Sequence, residues 1–332
     1  MSDLVRFGIL GLGMGSVRAE TATQTPGAKL ACVCSLDEAQ AVEWAGKLDC
    51  DWTTRYEEML ARPDIDVIGV LTSSGTHCDY AIQALQAGKH AFTTKPMDIR
   101  LAKVDAAIQA AEQANKILAV DFGLRYSPVN HKLRMAIRSG VFGQVLYSDL
   151  LMRWYRAQTY YDGGIPAGWR SRRATEGGSI SNQGVHSVDL MQWMLGPVST
   201  VYGRAGTVGH EIETEDQTMS LLTFQSGAWG MIHTTTCSTP DLGTKWEVGG
   251  SGGSFAWAEN KVPLFHSAAN PESSIEDIEV DPNLPESIIA DMVSAVTEGT
   301  PVQCDGYEGR KSVAIIEAVY ESSRTGKVVE LA

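Results

Sequence analysis

Two short constellations carry side chains able to manage the oxygen and the proton of an alcohol. In HAFTTKPMDI, His90 to Ile99, a charged Lys95 follows an apolar run and precedes Pro96. Proline biases the residue before it toward an extended backbone and offers no amide donor, so the lysine has a stiff origin. In EGGSISNQGVHSVDLMQWMLGP, Asn182 and His186 are four apart, the spacing that sets both on one face if a helix begins near Asn182. Oxidising a carbinol carbon also requires the hydroxyl proton to leave, and imidazole, with an ordinary pKa of about 6.5, is well matched to take it. A helical histidine is more often structural, and a loop lysine can simply be a surface residue, so the positioning elements decide.

The first of those elements is GILGLGMGSVRAE, which places Gly11 and Gly13 after a strand and before a helix. A tight turn there lets backbone amides hold a pyrophosphate at a helix N-terminus. The third position of the G-x-G-x-x-G pattern is Ser16, with Gly15 one residue early. The second strand ends Cys34-Ser35-Leu36-Asp37. Ser35 stands where an NAD site usually has its acidic ribose ligand, Asp37 reads first as a helix N-cap, and no arginine follows to clamp a 2′-phosphate. NAD and NADP both stay open. Strand ends contribute further residues, and the expected cofactor set is Gly11, Gly13, Met14, Gly15, Ser35, Thr72, Ser73, His77, Thr94 and Lys95. At the end of a parallel strand, the Lys95 ammonium could bridge the nicotinamide ribose and a substrate hydroxyl.

These motifs sit in a regular rhythm. VRFGIL, KLACVC, DVIGVL, HAFTT and ILAVDF read as strands, and helical patterns at Ser16–Gln24, Asp37–Lys47, His77–Ala87 and Leu101–Asn115 lie between them. Such alternation predicts a doubly wound parallel sheet. After Tyr126 come a helix over Val129–Arg138, the strand VLYSDLLMRW, an irregular segment, a helix over Val185–Leu195 and a run of strands from Ser199 to Ala258. Helices over Pro285–Glu298 and Gly309–Arg324 close the chain. The second part is therefore expected to be an α+β domain with a large, mainly antiparallel open sheet.

At 332 residues the chain has room for two domains. Its formal net charge of −13 argues against nucleic acid or anionic membrane as partner and favours small molecules. MSDLVRFGIL lacks a basic leader with an apolar continuation, and no uninterrupted stretch of about 20 apolar residues occurs, so a cytoplasmic location is expected. Six scattered cysteines read as reduced and structural.

Taken together, Gly11-x-Gly13, SSGTH (Ser73 to His77), AGKHAFTTKP (Ala87 to Pro96), GWR (Gly168 to Arg170) and Gly177 to Gly196 resemble, in order and spacing, the Gfo/Idh/MocA oxidoreductases, which act on sugars and cyclitols. The resemblance implies a Rossmann domain over 1–124, a substrate-binding and oligomerisation domain over 125–308, and a closing helix over 309–332 that returns to the first domain. It also implies a nicotinamide cofactor, a homo-oligomer formed through the second sheet, and catalysis by the lysine and histidine that fall on Lys95 and His186. Two positions depart from the pattern. The usual Glu-Lys-Pro is Thr94-Lys95-Pro96, and the usual aspartate four before the histidine is Asn182, which can orient an imidazole but brings no charge. A weaker base follows, with Asp189 a candidate substitute and a structural residue on the other reading.

Between Arg153 and Arg173 five arginines accompany one aspartate, with several aromatics among them. Aromatic faces stack on sugar rings and guanidinium forks bind carboxylate or phosphate, so an anionic or glycosylated substrate is plausible. Arg172 and Arg173 read equally as a solvated loop. Trp169 and Arg170 are the main substrate candidates beside Asn182, with Arg153, Tyr126 and Tyr161 weaker. His131, His210, His233 and His266 show no ligand-like spacing, and no metal site is expected. The leading function is hydride transfer between NAD(P) and a secondary alcohol or ketone of a sugar, cyclitol or derivative. The alternatives are an NAD-dependent glycosidase working by transient oxidation and elimination, and a non-catalytic dinucleotide sensor.

Overall fold

The computed structural model describes residues 4–331, and its first strands and helices follow the largely apolar runs and the patterns between them. They are β1 (Val5–Leu10), α1 (Gly15–Gln24), β2 (Ala28–Cys34), α2 (Glu38–Leu48), β3 (Asp51–Thr53), α3 (Tyr56–Leu60), β4 (Val67–Val70), α4 (His77–Gln86), β5 (His90–Thr94), α5 (Leu101–Ala114) and β6 (Leu118–Asp121). All the strands pair in parallel, in the order β3-β2-β1-β4-β5-β6. Phe7, Ile9, Val33, Val67, Ile68, Val70, Phe92 and Val120 are fully buried, as strands covered on both faces require. Strand β3 and helix α3 were not expected. The strand is three residues long with its first two exposed, so no apolar run announces it.

The chain continues through α6 (Pro128–Arg138), β7 (Val145–Arg153), α7 (Gln158–Asp162), α8 (Ser179–Asn182), α9 (Val185–Leu195), β8 (Val198–Gly206), β9 (Gln217–Phe224), β10 (Trp229–Thr235), β11 (Gly243–Gly250), β12 (Gly253–Ala258) and β13 (Lys261–Ser267). Helices α10 (Ile288–Glu298) and α11 (Gly306–Thr325) and strand β14 (Val329–Glu330) complete it. The second sheet has eight strands ordered β13-β12-β11-β7-β10-β9-β8-β14. It is not a simple succession of neighbours: β7 lies between β10 and β11 and runs parallel to β10. Turn residues announce local hairpins, whereas this insertion joins strands far apart in the chain. Ser148, Leu150 and Met152 of β7 are buried, and Trp246 Nε1 donates to Ser148 Oγ at 2.7 Å. The alternate face presents Tyr147 at 47% exposure, Trp229 at 73% and Leu221 at 59%.

The division of the chain corrects one expectation. One unit comprises the chain up to Gly123 together with Pro285–Arg310, and the other runs Leu124–Leu284 and resumes at Lys311. The segment that rejoins the first sheet is thus 285–310, not 309–332. Ile288, Ile289, Met292 and Ala295 of α10 are buried, the helix touches β1, β2 and β6, and Val120 donates its amide to Cys304 O at 2.9 Å. In the second unit Ser322 Oγ accepts the amide of Gly203 at 2.9 Å and β14 extends the sheet beside β8. Both closing helices have an apolar stripe, and helical periodicity reports that a face is buried without reporting which sheet covers it. Among the described residues no helix is long and apolar enough to cross a membrane.

Candidate active site

In the first unit the strand order reverses between β1 and β4, and the carboxyl ends of β1, β2, β4 and β5 gather the expected cofactor residues. Gly11 has φ +90°, and a Cβ there would lie 2.4 Å from Leu71 O, so only glycine fits. Gly13 is the opposite case, exposed with no atom within 4 Å of an added Cβ, which leaves its backbone open to a ligand. Gly15 starts α1 with its ideal Cβ 3.2 Å from Leu71 Cβ, so Gly15 rather than Ser16 makes the close helix–strand contact. Ser16 instead donates to Gly13 O at 2.9 Å. Met14 is 74% exposed at the lip of this loop. Backbone left open before a helix start fits the phosphates of a dinucleotide.

Ser35 is buried and its hydroxyl donates to Gln40 Oε1 at 2.9 Å, while Asp37 caps α2 by accepting the Gln40 amide at 3.2 Å. Asp37 is therefore the helix cap. Thr72, Ser73 and Thr76 form a hydroxyl cluster after β4, with Thr72 Oγ1 2.9 Å from Thr76 Oγ1. His77, expected to meet the cofactor, is 1% exposed. Its Nδ1 lies 2.7 Å from Pro96 O and its Nε2 3.0 Å from Thr72 O, so it ties the ends of β4 and β5 together. Burial holds the imidazole below its ordinary pKa. The segment Ala91–Asp98 is buried except at Thr94 and Lys95. The lysine thus projects from an immobile base, its following carbonyl held by His77.

In the second unit every residue from Gly178 to Met194 is buried except Asn182 and His186. Helix α8 ends at Asn182 and α9 begins at Val185, so the pair straddles a helix junction rather than one continuous helix. A Cβ at Gly184 would lie 2.7 Å from Thr234 Cγ2, which shows how tightly this junction rests on the sheet. Asn182 Nδ2 donates to Glu176 Oε2 at 2.7 Å, and Glu176 is 2% exposed. Asp189 is committed elsewhere, to the buried Arg125.

Two family comparisons bear on this arrangement. Residues 5–122 match the oxidoreductase family with an NAD-binding Rossmann fold, GFO_IDH_MocA, and residues 130–256 match the GFO/IDH/MocA C-terminal domain. The chain belongs to the Gfo/Idh/MocA family. Inositol 2-dehydrogenase of Rhizobium meliloti is 27% identical over 99% of both chains. The scyllo-inositol 2-dehydrogenase (NAD(+)) of Bacillus subtilis is 29% identical over 77% of this chain and 74% of its own. The WlbA dehydrogenase of Bordetella pertussis, solved with NADH and UDP-GlcNAcA, superposes with a TM-score of 0.90 at 27% identity, covering 99% of each chain.

The Gfo/Idh/MocA second unit also carries the arginine-rich insert, whose rings and guanidiniums alternate. Arg156 lies 4.9 Å from the centre of the Trp154 ring and 5.6 Å from that of Tyr160, and Arg170 lies 4.7 Å from Tyr160 and 4.5 Å from Trp169. This ladder brings the expected Trp169 and Arg170 together with Trp154, Arg156 and Tyr160, whose roles spacing alone did not reveal. Gln183 Nε2 donates to Tyr160 OH at 3.2 Å, which joins the ladder to the segment bearing Asn182 and His186. Tyr161 is 3% exposed, donating or accepting at Thr236 Oγ1 2.7 Å away, and burial raises its pKa. Its hydroxyl is thereby engaged just past the end of β10. Tyr126 is buried too. Arg153 falls on the sheet face opposite Ser148, Leu150 and Met152, beside His233, whose pKa is lowered by burial and then by Arg153. Thr234, on the helix-bearing face, meets Ser179 at 2.9 Å, so Arg153 is not brought to the Asn182 group.

One further cluster was invisible in the spacing: ligand-capable atoms of His210, Asp216 and Cys237 lie within 4.8 Å of one another. The Asp216 carboxylate already accepts the amides of Val208, Gly209 and His210 at 2.8–2.9 Å, and His210 Nδ1 is 3.0 Å away. Burial pushes this carboxyl up, yet those donors together hold it below its usual range. The cluster closes the loop over 207–211.

Proposed function

We propose that this chain transfers a hydride between NAD(P) and a secondary alcohol or ketone of a sugar, cyclitol or sugar derivative. The observation that carries the reading is the pair Asn182 and His186, partly exposed within a stretch that is otherwise wholly buried. Two polar side chains that keep part of their surface open on a packed helical segment suit contact with a reactant. The bound nucleotide supplies the two-electron acceptor or donor. Gly11, Gly13, Met14 and Gly15 would hold its phosphates, with Ser35, Thr72, Ser73 and Thr94 along the same strand ends. Lys95 holds the reacting oxygen and stabilises negative charge on it. His186 takes the hydroxyl proton during oxidation and returns it during reduction.

The arginine–aromatic ladder supports an anionic or glycosylated substrate over a plain polyol. Arg156 already donates through Nη1 to Tyr155 O at 2.7 Å, whereas Arg170, stacked on Tyr160 and Trp169, can offer its guanidinium edge to carboxylate or phosphate oxygens. The WlbA relative was solved with an anionic nucleotide sugar, which agrees with that reading; the inositol dehydrogenases favour an uncharged cyclitol. Ser35 itself brings neither an acidic ribose ligand nor a phosphate clamp, so both nucleotides belong in the test. Polyols, aldoses, uronates and nucleotide sugars are assayed with NAD and with NADP by nicotinamide absorbance. Turnover with a uronate or nucleotide sugar supports the anionic class, turnover confined to cyclitols replaces it, and no change with any of them removes the assignment. The exposed cross-strand pairs Tyr147–Trp229 and Tyr202–Leu221 on the second sheet support a homo-oligomer through that face. Light scattering of the purified protein reads its mass.

A further inference from the structure

We infer that Glu176 is the positioning residue of Asn182, and that its carboxylate is the reason an amide, not an acid, stands at that place. The inference rests on the reading of Asn182 and His186 as reaction-site residues. Glu176 accepts Asn182 Nδ2 at 2.7 Å through Oε2 and the Gly177 amide at 3.0 Å through Oε1, so both oxygens are used as acceptors. A primary amide can turn over and exchange its donor and acceptor ends. Spending Nδ2 on Glu176 fixes that choice and commits position 182 to presenting an acceptor, Oδ1. An acceptor is what the groups that carry the moving proton need, since an alcohol O–H and an imidazole N–H both donate.

The base of Glu176 is itself clamped. Tyr320 donates its hydroxyl to Gly177 O, and Gly178 has φ +89° with an ideal Cβ 2.6 Å from Glu215 O, a conformation and a space that only glycine tolerates. Ser179 then gives its amide to Glu215 O at 2.9 Å, and Ile180 gives its own to Glu215 Oε1 at 2.8 Å. With the backbone from 177 to 180 tied down on both sides, the 2% exposed Glu176 side chain has a defined place. An aspartate at position 182 would set two carboxylates within about one hydrogen-bond length in a buried setting, where they cannot both ionise comfortably. Asparagine turns the same contact into a donor–acceptor pair, and the charge lies one hydrogen bond further back.

The test is a swap: wild type, E176Q, N182D and E176Q/N182D are compared for kcat, for KM toward the nucleotide and for thermal unfolding. Each single change is expected to lower kcat about tenfold or more with nucleotide KM within about twofold, and N182D to lower Tm as well. The double variant restores the pair in mirror image, with the amide now at position 176 donating to a carboxylate at position 182. It is expected to regain at least about tenfold in kcat over N182D together with its Tm. Independent effects, with the double variant as slow as the product of the singles, would overturn the inference. So would recovery of Tm without recovery of kcat, because the contact would then be structural only. The parent reading is judged in the wild type, by turnover across the substrate panel, and the role of Glu176 in the double variant, so the two failures appear in different proteins.

Discussion

Arg125 grips Asp189 with two parallel bonds, Nε to Oδ2 at 2.9 Å and Nη2 to Oδ1 at 2.7 Å, and both side chains are 1% exposed. Gln192 Nε2 adds a third donor to Asp189 at 3.3 Å. A carboxylate held in this way is spent on joining the turn after β6 to α9, so it does not replace a catalytic aspartate for His186. Asp189→Asn leaves a guanidinium buried without its counter-charge and is expected to cost about 3–5 kcal/mol by denaturant unfolding. The kcat of the folded fraction should stay within about twofold. A stable variant with a collapsed kcat would move Asp189 into the reaction.

Gly11 and Gly13 separate folding from ligand binding. Gly11→Ala drives a methyl into Leu71 O, 2.4 Å from the ideal Cβ, at φ +90°, and should lower Tm and abolish nucleotide binding together. Gly13→Ala meets no protein atom within 4 Å, so Tm should hold while NADH affinity, read by fluorescence titration, falls about tenfold or more. Unchanged affinity in Gly13→Ala would place the phosphates elsewhere.

Lys95→Met keeps the length of the side chain and removes the ammonium. The rate of the chemical step should fall by about 10²–10⁴, a larger loss than any fall in nucleotide affinity from the missing ribose contact. A variant as fast as the parent would leave the reacting oxygen without its assigned cation.

Glu215 carries a pH dependence of stability. Burial raises its carboxyl from 4.5 to about 7, against the opposing pull of Ser179, Ile180 and Tyr320. In that window the folded chain binds a proton that the unfolded chain has released, so stability falls as pH rises from 4.5 through 7. Full stability is present below the lower value and is lost above the upper one, with an amplitude of about 3 kcal/mol. The difference between wild type and Glu215→Gln, followed by thermal unfolding from about pH 4 to about pH 8, should decline by that order. A difference that is flat across the range would show that this carboxylate stays ionised in the folded chain.

Much of this architecture was legible because strands buried on both faces have to be written as largely apolar runs, as in VRFGIL, where only Arg6 intervenes, and in DVIGVL after Asp66. The helix over Val185–Leu195 was readable to the residue, since its apolar stripe ends at Gly196. What stayed hidden depends on contacts distant in sequence. Arg125 and Asp189 are 64 positions apart, and β7 enters its sheet between two strands that come much later in the chain. Glu176 stood in plain view beside two glycines, yet a charged residue in an irregular segment has no period to announce burial. Among the expected site residues, His77 is buried with its ring nitrogens beside Pro96 O and Thr72 O, a placement that its position at a strand end does not announce. His210, Asp216 and Cys237 came together because loop closure, not local spacing, joins them.

The most direct measurement is single-turnover nicotinamide absorbance in His186→Ala, with the best substrate from the panel and with nucleotide affinity titrated in parallel. The account predicts a chemical step slowed by about 10²–10⁴ and a nucleotide Kd within about twofold of the parent. Turnover equal to the wild type would contradict it and remove His186 from the movement of the proton.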